Sequence, residues 1–377
     1  MKKTLFLIDN LKGGGAEKAI KILIEGLEEK GLSPIIVFLE DKKDYTLLPS
    51  IRSFALGQKA TKFSFIFLYF RLLWLLKDIK PDMVYATNTK SHILLLLTKG
   101  FIQTKRIINI QVDLRKQYID RKYIFFILSK LFHFADGYSF ISSGLYENLK
   151  EVIPSKTIYF IPNAIDFEEI DRLKQIPLPD VYQQIFLKPV MITIGRLTEQ
   201  KGQRILLKAF ANIRREAHLV ILGRGEKEEE LRALAHELKI DDKVFFLGFQ
   251  SNPFMFLAHA HIFILSSLWE GFGNVIVEAM RCSLPVISTD CPSGPGEILG
   301  VQEQKVLSSR GVVFEKFGIL VPINDSHHLT QAIEKICEDT SMQEHYRQQS
   351  VVRAQEYDKE KIVSLFIDIF KVRECVE

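Results

Sequence analysis

The feature that most constrains the fold is a regular alternation of short apolar runs with amphipathic helical patterns. Residues 4–8 form an apolar run, residues 16–30 carry apolar side chains at i, i+3 and i+4, and residues 34–39 form a second apolar run. Such runs are typical of strands that are buried on both faces of a sheet. The alternation continues with apolar runs at residues 82–86, 106–111, 137–141 and 158–161. It predicts an α/β fold with a doubly wound parallel sheet.

The same alternation restarts near residue 189, after a polar segment that contains prolines. Apolar runs recur, with helical patterns between them, at residues 189–195, 219–223, 244–248 and 262–265. A chain of 377 residues is also longer than one hydrophobic core usually supports. We therefore predict a first domain at 1–165, a linker at 166–188, a second domain at 189–355 and a C-terminal helical segment at 356–377.

A loop between two apolar runs of the second domain carries two carboxylates. Glu270 and Glu278 lie eight positions apart, and Gly271 and Gly273 between them leave room for a ligand against the backbone. A helical pattern begins at Asn274, and the amides that open a helix favour anions and sugar oxygens. This combination suits a ligand with both hydroxyls and phosphate, such as a nucleotide sugar. The alternative is that both glutamates are ordinary solvated charges.

Two cations follow the first apolar run of the second domain. Arg196 and Lys201 lie inside a frame formed by Gly195 and Gly202. An arginine binds a phosphate through two parallel hydrogen bonds, and a lysine supplies a compact positive charge. The pair therefore indicates a phosphate site, and the alternative is a surface turn with two solvated cations.

Composition limits the classes of protein to which the chain can belong. With 47% hydrophobic and 25% charged residues, the chain is typical of globular proteins. Residues 1–170 carry 25 Lys and Arg against 18 Asp and Glu, a net charge of +7, which suits an anionic partner or reflects a lysine-rich surface. The four cysteines show neither zinc nor disulfide spacing, which suits a cytoplasmic protein. The N-terminal apolar run is too short for a signal peptide.

Residues 63–76 form the most apolar stretch of the chain. A transmembrane helix needs about 20 apolar residues, and Arg71 interrupts this shorter stretch. Two interpretations remain open: a helix packed against the first sheet, or a helix that offers one face to a membrane. The surrounding cations suit anionic lipid and include Lys59, Lys62, Arg71, Lys77 and Lys80.

Several motifs together resemble those of one enzyme family. The glutamate pair with Gly-Phe-Gly-Asn between its members is similar to the donor-site motif of the retaining GT-B glycosyltransferases of family 4, also called group 1. Further segments resemble the same family at residues 13–18, 195–202 and 318–322. Residues 291–299 resemble a segment of its bacterial surface-polysaccharide and lipid-linked-oligosaccharide branch.

The resemblance implies two Rossmann-like domains facing across a cleft, an acceptor domain followed by a donor domain, with the last helix crossing back to the first domain. In the donor domain, Glu270 is expected to bind hydroxyls of the transferred sugar, while Arg196 and Lys201 stabilise the diphosphate leaving group. Glu278 is expected to bind the ribose. The remaining candidates for donor binding are Phe272, Gly273, Asn274, Gly14, Gly15, Arg224, Gly248 and Glu297.

One departure from the family concerns the acceptor side. Many members carry a histidine after a strand of the first domain, but the comparable residues 108–115 contain none. Gln111 and Asp113 are the candidates to take its place, because His92 and His133 lie in helical patterns typical of structural histidines.

By resemblance, the chain is expected to be a glycosyltransferase that moves a hexose or N-acetylhexosamine with retention. The donor is expected to be UDP-linked, and the acceptor is expected to be a lipid-linked or surface glycan at the inner membrane face. The protein is expected to contact that membrane face through residues 59–80. We expect no metal or other cofactor, and no nucleic acid partner. The alternatives are a nucleotide-sugar epimerase or phosphorylase on the same fold, and an inactive partner subunit. The sequence argues against a nicotinamide dehydrogenase, because neither domain opens with the dinucleotide glycine spacing.

Overall fold

The computed structural model describes residues 3–42, 44–57, 64–301 and 311–371. Lys59, Lys62, Cys375 and the end of the predicted C-terminal segment lie outside the described residues. The chain divides into two compact units, Met1–Ile165 with Asp358–Glu377, and Asp166–Tyr357.

The first unit is built on a seven-stranded sheet in which every neighbouring pair is parallel. Its strands are β1 (Thr4–Ile8), β2 (Ile35–Phe38), β3 (Arg52–Ala55), β4 (Met83–Thr87), β5 (Lys105–Ile110), β6 (Gly137–Phe140) and β7 (Thr157–Phe160). Its first helices are α1 (Gly15–Glu29), α2 (Ser64–Ile79), α3 (Thr89–Leu97), α4 (Leu114–Gln117), α5 (Lys122–Leu131) and α6 (Ser143–Leu149). The strand order β3-β2-β1-β4-β5-β6-β7 reverses between β1 and β4.

The second unit repeats this architecture. Its strands are β8 (Val190–Ile194), β9 (His218–Leu222), β10 (Val244–Gly248), β11 (Ile262–Leu265), β12 (Val286–Thr289), β13 (Val313–Glu315) and β14 (Gly318–Val321). Its helices are α7 (Phe167–Leu173), α8 (Asp180–Gln183), α9 (Gln203–Phe210), α10 (Glu228–Glu237), α11 (Phe254–Leu257), α12 (Asn274–Arg281), α13 (Pro295–Leu299), α14 (Ser326–Glu338) and α15 (Thr340–Ala354). The order is β10-β9-β8-β11-β12-β14-β13, with only β13 antiparallel to its neighbour.

Both sheets are doubly wound because their strands are apolar on both faces. Strands β1, β4, β9, β11 and β12 are buried along their whole length. Helices must therefore cover each face of each sheet, which the crossover connections between parallel strands provide. The predicted pair of doubly wound parallel α/β domains is confirmed.

Some elements differ from the sequence-based expectation. Between β5 and β6 the chain forms two helices, α4 and α5, followed by a 3-10 turn at Phe132–Phe134. The segment at 166–188, predicted as a linker, contains helix α7, whose first amides are capped by the Asp166 carboxylate at 2.9 Å from Glu169 N. Phe167 is buried beneath the Arg281 guanidinium, and Arg281 also pairs with Asp171, so α7 packs within the second unit.

The last helix, α16 (Lys359–Phe370), packs on the sheet of the first unit. Phe366 is fully buried, with ring centroids 5.7 Å from Phe6 and 5.3 Å from Tyr85. Val363 lies so close to α1 that a side chain at Gly26 would meet its Cγ2 at 2.5 Å. The first unit therefore takes part of its core from the far end of the chain.

None of the helices in the described ranges is both long and apolar enough to cross a membrane.

Replacing Phe366 with alanine is expected to lower the free energy of unfolding of the first unit by about 3–5 kcal/mol, because a fully buried ring leaves a cavity. The measurement is urea denaturation followed by circular dichroism. Leu365→Ala is the control, since that side chain on the same helix is partly exposed and is expected to cost much less. Equal destabilisation by the two substitutions would contradict the packing of α16 described above.

Candidate functional site

The candidate site lies at the carboxyl edge of the second sheet. Because β8, β11 and β12 are parallel, the loops that follow them emerge at the same edge. The strand order reverses between β8 and β11, and in open α/β sheets ligands bind at such a reversal. The loops on either side of this reversal are residues 195–202 and residues 266–273, which carry most of the predicted donor-site residues.

These two loops interlock through their backbones. At Gly202, where φ is +60°, an added Cβ would lie 2.1 Å from the Ser266 carbonyl oxygen, so only glycine fits. The Ser266 hydroxyl donates to the Lys201 carbonyl at 3.0 Å, and Leu268 N donates to the Gln200 carbonyl at 2.8 Å. The loops therefore hold each other in a fixed arrangement.

This arrangement brings together Lys201 and Glu270, which are 69 positions apart in the chain. Lys201 Nζ donates to Glu270 Oε1 at 2.5 Å, and the Glu270 residue is 8% exposed. The Ser267 hydroxyl donates to the same oxygen at 2.6 Å, and the Ser293 hydroxyl donates to the Glu270 carbonyl at 2.7 Å. A buried carboxylate is tolerated when a cation and hydrogen bonds compensate its charge, as here.

Arg196 and Arg224 supply exposed positive charge at the same edge. Both side chains are exposed, and with the described residues neither forms an ion pair or a side-chain hydrogen bond. Their loops are joined, because Leu197 N donates to the Arg224 carbonyl at 3.0 Å. Gly248 closes β10 beside them, where an added Cβ would lie 3.4 Å from Arg224 Nε. Two guanidinium groups are thus available to an anion.

Helix α12 contributes its N-terminus to this edge. Gly273, at φ +100°, is the residue before the helix, and it has no side chain with which to cap the first turn. Asn274 begins the helix, and Glu278 lies half-buried in its second turn. Phe272 is buried against the Tyr357 ring, with the centroids 5.3 Å apart. Glu297 lies half-buried in α13, which follows the loop after β12.

In the first unit, the predicted residues also follow strand ends, but their surroundings differ. Gly14 precedes α1 and Gly15 begins it, after β1. Asp113 accepts a hydrogen bond from Arg115 N at 3.0 Å and thereby caps α4, which is a structural task. Gln111 donates to the Asn109 side-chain oxygen at 2.7 Å. Gln111 also lines a narrow hollow with Asn10, Glu17, Thr87 and Asn88.

Two carboxylates at the edge of the first sheet were missed by the sequence analysis. Asp9 directly follows β1 and accepts hydrogen bonds from Ser91 N at 3.0 Å and Ser91 Oγ at 2.7 Å, while burial raises its pKa. Glu40 follows β2 and accepts from Lys42 at 2.7 Å and Lys90 at 3.0 Å. The hydrogen bond from Lys42 is the largest cause of the lowered pKa of Glu40. Their positions directly after apolar runs were the available signal.

Neither histidine considered in the sequence lies in the loop after β5. His92 is fully buried in α3, where Nε2 lies 3.0 Å from the Asn109 carbonyl, and burial lowers its pKa to about 4. His133 lies exposed in the 3-10 turn after α5. Within the described ranges, no group of three or more His, Cys, Asp and Glu side chains is arranged to hold a metal ion.

The fold and this sheet edge define the class of enzyme. Residues 184–352 match the family model of glycosyl transferases group 1, and residues 13–169 match that of glycosyltransferase family 4. An uncharacterised glycosyltransferase of Methanocaldococcus jannaschii is 32% identical over 330 residues, which cover 78% of this chain and 80% of that protein. The chain belongs to the group 1 and family 4 glycosyltransferases and is a transferase enzyme.

Two further similarities span nearly the whole chain. The N-acetylgalactosamine-N,N'-diacetylbacillosaminyl-diphospho-undecaprenol 4-alpha-N-acetylgalactosaminyltransferase of Campylobacter jejuni is 29% identical over 378 residues, covering 96% of this chain and 97% of that protein. The crystal structure of HepE from Anabaena in complex with UDP matches with a TM-score of 0.82 at 20% identity, covering 98% of this chain and 100% of that one. The similarity confirms the predicted GT-B fold class.

The burial of His92 predicts how the free energy of unfolding depends on pH. The pKa of His92 is about 4 in the folded protein and about 6.5 in an unfolded chain, so the unfolded chain binds an extra proton between these values. The free energy of unfolding is therefore expected to fall as the pH drops from 7 towards 4, and His92 contributes about 3 kcal/mol of that loss. Urea denaturation at several pH values measures it.

The matched pair His92→Gln and His133→Gln separates this contribution from that of the carboxylates. His92→Gln is expected to flatten the pH dependence, whereas His133→Gln, at an exposed position, is expected to keep it. An unchanged pH dependence in His92→Gln would show that His92 does not stay neutral in the folded protein.

Proposed function

We propose that this glycosyltransferase moves a hexose or N-acetylhexosamine from a UDP-linked donor, with retention, to a lipid-linked or surface-glycan acceptor in polysaccharide assembly. The observation that carries the proposal is the sheet edge where free guanidinium groups lie beside the paired Lys201 and Glu270. The Campylobacter relative is named for a diphospho-undecaprenol substrate, and HepE is known in complex with UDP and with UDP-glucose. The relative's name supports the proposed acceptor class, and the HepE complexes support the proposed donor class.

In the proposed reaction, the cations act on the leaving group. Negative charge grows on the nucleotide diphosphate as the bond to the sugar breaks, and fixed positive charges near it lower the barrier. Arg196 and Arg224 are exposed at the sheet edge for this task. Lys201 uses one of its three N–H donors on Glu270, which leaves two for a phosphate oxygen.

The carboxylates act on the hydroxyls of the donor. Glu270 Oε1 is occupied by Lys201 and Ser267, so Oε2 is the oxygen available to accept from a sugar hydroxyl. Glu278, four residues into α12, is proposed to accept from the ribose. The amides at Gly273 and Asn274 are proposed to meet the sugar and the diphosphate. With these groups in place, the proposed reaction uses no metal ion.

Arg196→Ala and Glu278→Ala are each expected to lower kcat/KM at least 100-fold, because each removes a group proposed to contact the donor. Turnover is measured with a panel of UDP-hexoses and UDP-N-acetylhexosamines, a polyprenyl-diphosphate-linked glycan as acceptor, and EDTA present. Arg204→Ala is the matched control, since Arg204 is exposed and, among the residues that the structure describes, pairs with Glu230 at the surface. Full activity of either variant, or loss of wild-type activity in EDTA, would contradict the corresponding part of the proposal.

We also propose that the first unit contacts the inner face of the cytoplasmic membrane, so that the enzyme is a peripheral membrane protein. The sequence left two interpretations of helix α2 open: packing against the first sheet, or one face offered to a membrane. The two faces of the helix fit one interpretation each. One face, with Leu68, Leu72, Leu75 and Leu76, is buried, whereas the opposite side chains are between 57% and 69% exposed, namely Ile66, Phe67, Phe70 and Trp74. Exposed Trp and Phe side chains on one face of a helix suit the membrane interface, where apolar groups leave water and the indole N–H of Trp stays near it.

Helix α5 extends this apolar surface. Its exposed side chains also follow helical spacing, at Tyr123, Phe126 and Ile127. The right-handed rule for parallel crossovers puts α2, α3 and α5 on the same face of the first sheet, with α3 contacting both. Residues 64–136, which hold the three helices, carry 12 Lys and Arg against 5 Asp and Glu, a net charge of +7. Exposed apolar side chains within a basic surface favour anionic lipid.

Replacing both Trp74 and Phe126 with alanine is expected to weaken binding to vesicles at least tenfold, because two large apolar side chains no longer leave water. Flotation with phosphatidylcholine–phosphatidylglycerol vesicles measures it, and added salt is expected to weaken wild-type binding as well. The control replaces Val181 and Leu187, which are at least as exposed but lie in the second unit. Unchanged flotation together with an altered oligomeric state would instead identify the surface as a contact between copies of the chain.

A further inference from the structure

The two oxygens of the Glu270 carboxylate have different surroundings. Oε1 accepts hydrogen bonds from Lys201 Nζ at 2.5 Å and from Ser267 Oγ at 2.6 Å. From the described residues, Oε2 receives none. The protein thus uses one oxygen to hold the carboxylate and leaves the other for a ligand.

The backbone of Ser267 is held in place by a further hydrogen bond. Ser267 is fully buried two residues after β11, and its carbonyl accepts a hydrogen bond at 2.5 Å from the hydroxyl of Thr289, at the end of β12. Thr289 is also fully buried. Buried hydroxyls are costly unless they are hydrogen-bonded: the Thr289 hydroxyl donates to the Ser267 carbonyl, and the Ser267 hydroxyl donates to Glu270.

We propose that Ser267 is a positioning residue that keeps Glu270 Oε2 available for the transferred sugar, an inference that rests on the proposed function. The terminal torsion of a glutamate is broad, so a carboxylate held by a lysine alone can turn and share both oxygens with the ammonium. Lysine imposes little geometry because its stem is flexible and its charge compact. The Ser267 hydroxyl, on a residue whose carbonyl is held by Thr289, supplies a second donor on Oε1 and prevents this turn.

The inference separates recognition of the sugar from recognition of the nucleotide. Ser267 acts only through Glu270, which is assigned to sugar hydroxyls, while the diphosphate is assigned to Arg196, Arg224 and the two N–H donors that Lys201 does not use on Glu270. Loss of the Ser267 hydroxyl is therefore expected to impair handling of the UDP-sugar and to leave binding of UDP itself unchanged. A merely structural hydroxyl would affect both ligands together.

The test compares Ser267→Ala with Ser267→Thr, which keeps a hydroxyl on the same carbon. Ser267→Ala is expected to lower kcat/KM for the UDP-sugar by 10- to 100-fold while the Kd for UDP, measured by calorimetry, stays within about twofold of wild type. Ser267→Thr is expected to recover most of the lost activity. Ser288→Ala is the control, because Ser288 is also fully buried but donates to the Thr289 carbonyl, at 3.0 Å, instead of to Glu270.

Two results would overturn the inference: wild-type turnover by Ser267→Ala, or a parallel loss of UDP binding and melting temperature in that variant. Failure of the proposed function is distinguishable from both. In that case the wild-type protein itself transfers no sugar from any UDP-linked donor in the panel, whatever residue occupies position 267.

Discussion

The close packing of two loops at the strand-order reversal of the second sheet is the constraint on which the rest of the site depends. Gly202 and Ser266 meet backbone to backbone, and a side chain at position 202 would separate them. This contact brings the loop carrying Lys201 beside the loop carrying Glu270. A largely buried ion pair needs a fixed geometry, which the interlocked backbones supply, and further hydrogen bonds, one of which comes from Ser267 to Glu270 Oε1.

The site divides its polar groups into those fixed by the protein and those left for a ligand. Hydrogen bonds join the half-buried Lys201 to the buried residues Glu270, Ser267 and Thr289. The guanidinium groups of Arg196 and Arg224 lie exposed at the same edge. Such a division suits electrostatic catalysis, because fixed groups need no rearrangement when charge develops and exposed cations are free to bind the charged leaving group.

The first unit differs from the second in what it leaves at its surface. Its sheet has the same doubly wound architecture, completed by Phe366 and its neighbours from the last helix. Yet α2 and α5 keep large apolar side chains in water, in a basic region of the chain. Exposed apolar side chains are costly unless a partner covers them, which is why a membrane surface is the proposed partner.

The sequence alone determined the two α/β domains. Strands buried on both faces appear in it as apolar runs and amphipathic helices as i, i+3, i+4 spacing, and both patterns can be read without tertiary information. It also identified the glutamate pair and the cations of residues 195–202, because their spacing is local. Only the tertiary structure decided that Lys201 pairs with Glu270 through Oε1, that Asp113 caps α4, and that residues 166–188 form part of the second unit. The exposed face of α5 and the hydrogen bond from Ser267 to Glu270 were decided there too. The physical reason is that hydrogen bonds, ion pairs and burial depend on distances between residues far apart in the chain, which folding sets and periodicity does not encode.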